Sequence, residues 1–524
     1  MIEQVKNFFG VGSEQEKEKF ESSMQDGKLV SQIQQWEKES DELYVVLKEV
    51  WQKNLDYYNG KQTDVDKIFG KRSKSVENRI WMATETMIPI ATGRLPDMIV
   101  KPGDEDEQSQ MDAQDLQDVL AYHFERVQIQ EKAERFLRDM IVKRYGVFKA
   151  AWTNDDIDVR VVDPRRIRIP RYGKSVDELA FLIEELEVSY GQAADLFTKA
   201  KADELFITGE KESETKVRKK TRVIQEVWTN DYVCWRSGNI ILKKEPNPFF
   251  DYKEEKNFFT KAKKPYVIKS LFETEESLIG TTDYIQQHIS IQDNLNTRKR
   301  QVEDIANKVA NPPLLIDSDV MSEEEAANLS NEPGIIIYGK DAAKGDKVRF
   351  EQPGQIPQYL FQDIQFSRSE FDNIWGIHST TRGEREGRET LGGRQMLREA
   401  DLGRIDLLGR QLERALDEIA EYWTQLIKMF YTEEKSFTIL GEDGVRFVKN
   451  FIGTKVGNVK PMVKAGSTLK EDEAAIQQKA ILLWQNKAIG VKTLYKMLKM
   501  PNMQEALADL QETMGAQGQP PQGL

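Results

Sequence analysis

Apolar residues spaced three and four positions apart predict a series of helices along the chain. The longest series predicts one helix over residues 391–431, which would span roughly 60 Å if straight. Gly403 and Gly409 lie inside it, where a helix can bend. Its apolar positions are Ile405, Leu408, Leu412, Leu416, Ile419, Trp423, Leu426 and Phe430. Further helices are predicted over residues 29–58, 116–142, 281–310, 358–375 and 471–510.

Alternating and β-rich stretches predict strands between these helices. They lie at residues 147–152, 157–162, 223–235, 239–242, 266–272, 334–338, 436–448 and 456–464. The fold class is therefore α+β. The polar residues 101–107 are predicted to form a turn or loop.

A short stretch after Asp163-Pro164 alternates arginine with isoleucine over residues 165–170. A strand there would place arginines on one face. Two interpretations stay open: an ordinary exposed strand face, or a surface that presents the arginines.

The helix over residues 281–310 is unusually polar, because Gln and Asn separate its sparse apolar residues. The core of a single chain explains such a helix poorly. We expect it to pack laterally against copies of itself or to line an aqueous space.

A loop over residues 377–390 precedes the longest helix. It mixes glycine with both signs of charge and holds no apolar residue between Arg382 and Glu389. Such a segment cannot bury itself, so it should be exposed and mobile. It is either a solvated surface loop or a functional loop attached to a long rigid helix.

The amino-acid composition limits the classes of protein to which the chain can belong. The chain has 524 residues, 39% hydrophobic and 31% charged, enough for more than one domain. The net charge of −13 argues against a protein that coats nucleic acid, although a local basic stripe can still touch phosphates.

The single cysteine, Cys234, excludes an internal disulfide and a cysteine-based zinc site. Without a signal-peptide core or a run of about 18 apolar residues, we expect no membrane association and a reducing compartment.

Catalytic motifs give no positive case for an enzyme. Residues 334–340 match the start of a phosphate-binding loop, but Asp341 replaces the required Ser or Thr, and the intervening residues read as a strand. The acidic run 323–325 keeps a magnesium-dependent DNA-processing nuclease open as an alternative, although that chemistry needs carboxylates converging from separate elements. We expect no catalytic residue, metal or cofactor.

The order of elements from Tyr266 to Tyr431 resembles the portal proteins of tailed bacteriophages, the head-to-tail connectors. The order is strand, helix, small β-rich insertion, helix, polar loop and long helix. The resemblance implies a mainly helical α+β fold with wing, stem, clip and crown regions around a central channel. The implied regions are a wing (1–280), a first stem helix (281–310), a clip (311–357), a second stem helix (358–376), a tunnel loop (377–390), a long kinked helix with a wing hairpin (391–466), a helical crown (467–514) and a disordered tail (515–524).

The same resemblance implies a function. The chain would be one subunit of a homo-oligomeric ring, with twelve subunits expected, at one vertex of the capsid. Double-stranded DNA would pass through its channel, without sequence recognition, during packaging and ejection. Terminase, the head–tail adaptor and the major capsid protein are the implied protein partners. The location is the virion, with host cytoplasm during assembly.

The resemblance also implies three groups of functional residues. The DNA-facing residues of the tunnel loop are Thr381, Arg382, Glu384, Arg385, Glu386, Arg388 and Glu389. Residues of the first stem helix that face the channel or form intersubunit salt bridges are Arg298, Lys299 and Arg300. Partner-docking residues of the clip are Leu314, Ile316, Glu323, Glu324, Ile336 and Tyr338.

Overall fold

A computed structural model of the chain describes most of its length. The described residues are 26–62, 73–206, 220–253, 256–273, 277–327, 336–341, 346, 348–350, 355–378, 381, 391–440, 446–453, 456–467 and 473–498. The predicted tail at residues 515–524 lies outside these ranges.

The described residues contain helices in each of the six predicted regions, together with four helices that were not predicted. The helices are α1 (Asp26–Tyr58), α2 (Arg79–Ala91), α3 (Glu107–Arg126), α4 (Ile129–Val142), α5 (Tyr190–Leu196), α6 (Lys199–Phe206), α7 (Tyr284–Ala310), α8 (Glu323–Ala327), α9 (Gln358–Trp375), α10 (Leu391–Phe430), α11 (Glu473–Gln485) and α12 (Val491–Met497). The four that were not predicted are α2, α5, α6 and α8. No helix within the described ranges has the length and apolar character needed to cross a bilayer.

The strands among the described residues form five small sheets. They are β1 (Met98–Pro102), β2 (Tyr145–Thr153), β3 (Asp156–Val161), β4 (Ile167–Arg168), β5 (Leu182–Ser189), β6 (Thr221–Trp228), β7 (Tyr232–Ser237), β8 (Ile240–Pro246), β9 (Tyr266–Ser270), β10 (Leu314–Asp317), β11 (Ile336–Gly339), β12 (Val348–Phe350), β13 (Lys435–Leu440), β14 (Arg446–Phe451) and β15 (Val459–Val463). Helices and sheets are both well represented, which agrees with the predicted α+β class.

The chain divides into two compact units, each made of discontinuous segments. The first unit comprises residues 1–48, 87–281 and 405–524, and the second comprises residues 49–86 and 282–404.

The first unit holds the larger sheets. Strands β4 to β8 form a five-stranded antiparallel sheet in chain order, and β2 pairs with both β3 and β9. The β2–β3 turn places Asn154 and Asp155 at φ 54° and 58°, the left-handed conformation that a tight hairpin turn requires. The hairpin joins the two strands predicted at residues 147–152 and 157–162.

The same unit contains a buried ionic cluster. The ammonium of Lys149 on β2 lies 2.7 Å from the carboxylate of Glu184 on β5 and 2.8 Å from that of Glu226 on β6. The hydroxyl of Tyr266 donates to Glu184 at 2.6 Å, and the indole of Trp228 donates to Glu226 at 2.6 Å. Burial disfavours the charged ammonium, but the two carboxylates outweigh this effect and raise the pKa of Lys149.

The second unit is organised by α7 and α9 together with a three-stranded sheet in the order β11-β10-β12. Strand β10 pairs parallel with β11 and antiparallel with β12. The ring of His288 on α7 lies 4.7 Å from that of Phe371 and 4.6 Å from that of Trp375, both on α9. These aromatic contacts form the packed end of the helix pair.

Several predicted elements differ from the observed ones. The helix over residues 116–142 is two helices, because Gln128 adopts a left-handed conformation at φ 52°. The polar stretch 101–107, predicted as a turn or loop, is a strand end, a turn and a helix start. The acidic stretch 323–325 opens the short helix α8. Residues 165–170 contain a 3-10 turn and the two-residue strand β4 rather than one strand.

Candidate functional site

The predicted DNA-facing loop is described only at its start. Ile377 and His378 follow α9, and Thr381 is described as a single residue beyond them. The other predicted loop residues lie outside the described ranges, and their roles stay predictions: Arg382, Glu384, Arg385, Glu386, Arg388 and Glu389.

The base of this loop is held by one buried carboxylate, Asp401 on α10, which is 2% exposed. The backbone N–H of His378 donates to its Oδ2 at 3.0 Å, and the hydroxyl of Thr381 donates to the same oxygen. The ring Nδ1 of His378 lies 2.6 Å from Oδ1 and is the donor, because a carboxylate oxygen accepts. Three donors from residues 378–381 thus converge on Asp401 and fix the backbone just before residue 382.

The C-terminal end of α9 lies close to α10, the helix that carries Asp401. Gly376 has φ +83°, and a Cβ at this position would lie 2.1 Å from the Cδ of Arg404. The Nη1 of Arg404 donates to the carbonyl of Ile374 at 2.6 Å. Glycine is favoured at this left-handed helix cap, because any side chain there would have to displace Arg404.

A second polar cluster centres on Glu77, in the segment that precedes α2. The guanidinium of Arg368 on α9 donates two hydrogen bonds to its carboxylate, at 2.9 and 2.7 Å. Arg79 and Lys299 place their cationic groups 3.5 and 3.6 Å from the same carboxylate. Burial favours the neutral acid, but the bonds and charges of these cations outweigh it and lower the pKa of Glu77.

The buried amides of α7 are bonded to the same segment. Gln292 and Asn296 are completely buried. The amide of Gln292 donates to the carbonyl of Glu77 at 2.7 Å, and the Oδ1 of Asn296 accepts from the N–H of Glu77 at 3.0 Å. The first half of this polar helix is therefore buried within its own chain, so for that half the expectation of packing against copies or lining an aqueous space is wrong. Its second half, from Arg298 onward, contains no fully buried residue.

Comparison with known families decides the identity. The Phage P22-like portal protein family matches residues 184–522, well over half of the chain. The chain belongs to this portal family. No curated protein matches it. Portal proteins are generally structural, form oligomeric rings at a capsid vertex and associate with capsid and terminase. The match gives no support to the nuclease alternative.

In this portal protein, the three predicted stem cations have partners within the chain. Arg298 donates through Nε to Asp363 on α9 at 2.6 Å, and Lys299 contacts Glu77. Arg300 donates to the carbonyl of Asn296 at 3.0 Å. The side chains of Arg298 and Lys299 remain 34% exposed, so these intrachain bonds do not prevent contacts with other molecules. Their predicted place in the channel or between subunits stays a prediction.

The predicted clip residues of the portal protein fall on the small sheet and its neighbour α8. Ile316 is completely buried, whereas Leu314, Ile336 and Tyr338 are half-buried. The hydroxyl of Tyr338 donates to the carbonyl of Met321 at 2.9 Å, which ties β11 to the start of α8. Glu323 and Glu324 are exposed at that start. These positions are thus close together, and their partner-docking role stays a prediction.

Sequence reasoning missed Asp401 and Glu77, which organise the two clusters. Neither residue stands out locally, because each is one acidic residue among many. Within the described ranges, no group of three or more His, Cys, Asp or Glu side chains is arranged to hold a metal ion.

Proposed function

We propose that this portal protein closes into a twelve-subunit ring whose channel conducts double-stranded DNA during packaging and ejection. The family match supports a portal ring. The subunit number, the channel-lining residues and the docking of terminase, tail adaptor and major capsid protein at the vertex are parts of the proposal. Assembly in the host cytoplasm before incorporation into the virion is a further part.

One surface carries the proposal: the exposed aromatic face of α9. Tyr359 is 62% exposed and Phe366 is 66% exposed. They lie seven residues apart, two helical turns, and so on one face. Large exposed apolar side chains on one face mark a contact surface. A closed ring needs such a face on every subunit, matched by a different face on the next subunit.

The second half of α7 is the face that we assign to the neighbouring subunit. Val302 and Ile305 are half-buried, and Val309 is 41% exposed. They follow one another at helical spacing. A second copy packing its α9 aromatics on this stripe would remove both apolar surfaces from water.

DNA conduction is assigned to the loop that Asp401 anchors. Three arginines and three glutamates alternate there between residues 382 and 389. Arginines beside glutamates would touch phosphates without binding them tightly, and the net charge of −13 per subunit opposes adhesion.

Docking of terminase and tail adaptor is assigned to the clip. The three-stranded sheet there exposes Ile337 (43%), Val348 (42%) and Phe350 (65%). We expect deletion of residues 314–357 to leave a chain to which neither partner docks. Normal docking of both partners after the deletion would contradict this assignment.

Oligomeric mass tests the proposed ring. We expect purified protein to give a multi-subunit mass in light scattering and a ring with a central opening in cryo-EM class averages. The double variant Tyr359→Ser/Phe366→Ser should shift the mass toward the monomer. Leu196→Ser, which removes another exposed apolar side chain (54% exposed) from α5, should leave the ring intact. A uniformly monomeric wild-type sample would refute the proposal.

The nuclease alternative is tested separately. Glu325 accepts hydrogen bonds from the backbone N–H and the hydroxyl of Ser322, both at 2.9 Å, so this carboxylate closes the N-terminus of α8. We expect plasmid DNA to stay intact with the protein and Mg²⁺. Cleavage that disappears in Glu323→Gln/Glu324→Gln would support the nuclease instead.

A further inference from the structure

The arginine-rich stretch after β3 forms an exposed basic surface on a chain with a net charge of −13. Ile167 (1% exposed) and Ile169 (4%) face the core, whereas Arg165 and Arg166 before them and Arg171 and Tyr172 after them are exposed. No acidic residue occurs from Pro164 to Ser175.

The arginines of this stretch fall into two classes. Arg165 is bonded to Asp163, with 2.7 Å between its Nη2 and the carboxylate, and Arg168 is bonded to Asp41 at 2.7 Å and to Glu185 at 2.9 Å. The remaining two, Arg166 and Arg171, are exposed and have no carboxylate within salt-bridge distance among the described residues.

The backbone beneath these two arginines is fixed. At one end, the hydroxyl of Tyr44 on α1 donates to the carbonyl of Arg165. At the other, Gly173 at φ +139° packs against Leu179, where a Cβ would lie 2.5 Å from a methyl carbon, and it bridges to Ser277. The uncompensated charges are therefore displayed from a defined loop, which lowers the entropy cost of binding.

The chemistry of the surface favours a phosphate backbone. Tyr172 is 71% exposed and lies beside Arg171, whose guanidinium carbon is 5.7 Å from the ring centroid. Arginine and tyrosine both donate to phosphate oxygens. A protein partner of ordinary size would need an apolar centre, but the isoleucines here face inward.

We propose that Arg166, Arg171 and Tyr172 form a non-specific contact surface for the phosphate backbone of double-stranded DNA, made of residues other than those of the predicted tunnel loop (377–390). The inference rests on the proposed function, because a portal ring is placed where packaged DNA meets it.

Salt-dependent DNA binding tests this surface. The assembled protein is titrated into a short fluorescent duplex of random sequence, and affinity is measured by anisotropy across a range of NaCl concentrations. Each phosphate contact contributes about 0.9 to the slope of log affinity against log salt. We expect Arg166→Gln/Arg171→Gln to flatten the slope by about 2 for each engaged subunit.

A matched control removes the same number of charges. Arg165 and Arg410 are also exposed (51% and 56%), but each is paired with an aspartate. Arg165→Gln/Arg410→Gln should therefore leave the slope close to that of the wild type.

Three results would overturn the inference: no binding of the duplex by wild-type rings, equal slopes for wild type and Arg166→Gln/Arg171→Gln, or equal flattening by the control. A fourth contradicting result is loss of the ring in the test variant with unchanged DNA affinity, which would assign the surface to the contact with a neighbouring subunit. Ring formation by the wild type is measured separately by its oligomeric mass. A wild type that forms no ring would contradict the proposed function, whereas the results above, obtained with intact wild-type rings, would contradict only this inference.

Discussion

The side chain of His123 on α3 lies completely buried in the first unit. Its Nδ1 accepts from the Nε of Arg126 at 3.1 Å, and its Nε2 lies 3.1 Å from the hydroxyl of Tyr431. Burial lowers the pKa of His123 to about 3; Asp156 opposes the shift, and the charges of Arg126 and Lys435 add to it. The ring is therefore neutral in the folded protein under ordinary conditions.

This histidine should make the fold sensitive to acid. In the unfolded chain His123 is protonated below a pH of about 6.5, whereas in the folded chain it stays neutral down to about pH 3. The free energy of unfolding therefore falls as the pH falls from about 6.5 to about 3. We expect the difference in unfolding free energy between wild type and His123→Gln to shrink from pH 7 toward pH 4. Urea unfolding at each pH measures it, and a constant difference would contradict the prediction.

Asp401 gives a second prediction at the scale of one residue. Asp401→Asn replaces one of two accepting oxygens with an amide donor that faces the donors of His378 and Thr381. An unsatisfied buried polar group costs about 1–3 kcal/mol of stability. We therefore expect the free energy of unfolding, measured with denaturant, to fall by that amount. The control Asp406→Asn, whose side chain is 37% exposed and pairs with Arg410, should cost less than about 1 kcal/mol. Equal effects would show that Asp401 does not anchor the loop.

Residues of this kind are poorly predicted from sequence. Periodicity marks His123 as a helical position, but its partner Tyr431 lies 308 positions away. Glu77 and Asp401 likewise gain their roles from distant segments. Local pattern identifies which face of an element is apolar, whereas it carries no information on which polar group will meet a buried carboxylate.

At the scale of elements, prediction succeeded where the signal was local. Helix α9 has the predicted bounds, because its apolar spacing and the proline before it are both local features. The first strand was missed, because β1 exists only through pairing with β15, with Met98 opposite Val463. Strand β5 was missed too, since its acidic residues look exposed, whereas Glu184 is buried against Lys149.

The Lys149 cluster couples two sheets and gives a prediction at this scale. Lys149→Met leaves two buried carboxylates without their cation, and breaking such a group costs about 3–5 kcal/mol. We expect the free energy of unfolding of Lys149→Met, measured with denaturant, to be lower than that of the wild type by this amount. Adding Glu184→Gln and Glu226→Gln should recover most of it, because no buried charge then remains.

A surface lysine is the control for this cluster. Lys243 is 41% exposed and pairs with Glu245 at 2.6 Å. Lys243→Met should change stability by less than about 1 kcal/mol. A Lys149→Met protein as stable as this control would show that the cluster does not hold the sheets together.

For the whole molecule, the order of elements predicted the family, which the match over residues 184–522 confirms. That order survives sequence divergence because it reflects the path of the chain rather than single motifs. The positions of the charged loop residues could not be predicted in the same way, since a polar loop has no buried face to define it.

Replacing the loop arginines tests function at this scale. We expect Arg382→Ala/Arg385→Ala/Arg388→Ala to assemble rings like the wild type, because the anchor at Asp401 is untouched, but to reduce DNA packaging or retention. Ring mass and encapsidated DNA are measured in parallel. Loss of the ring itself would show that the loop is structural.

Glu77 has a practical consequence for dissecting the chain. It lies 291 positions before Arg368, so an expression fragment limited to residues 282–404 would keep both long helices and omit their shared counter-ion. The cationic side chains of Arg368 and Lys299 would then lack the Glu77 carboxylate that neutralises them both. Excising the second unit as a contiguous piece should therefore yield aggregating material, whereas a spliced chain that joins residues 49–86 to residues 282–404 restores the missing carboxylate.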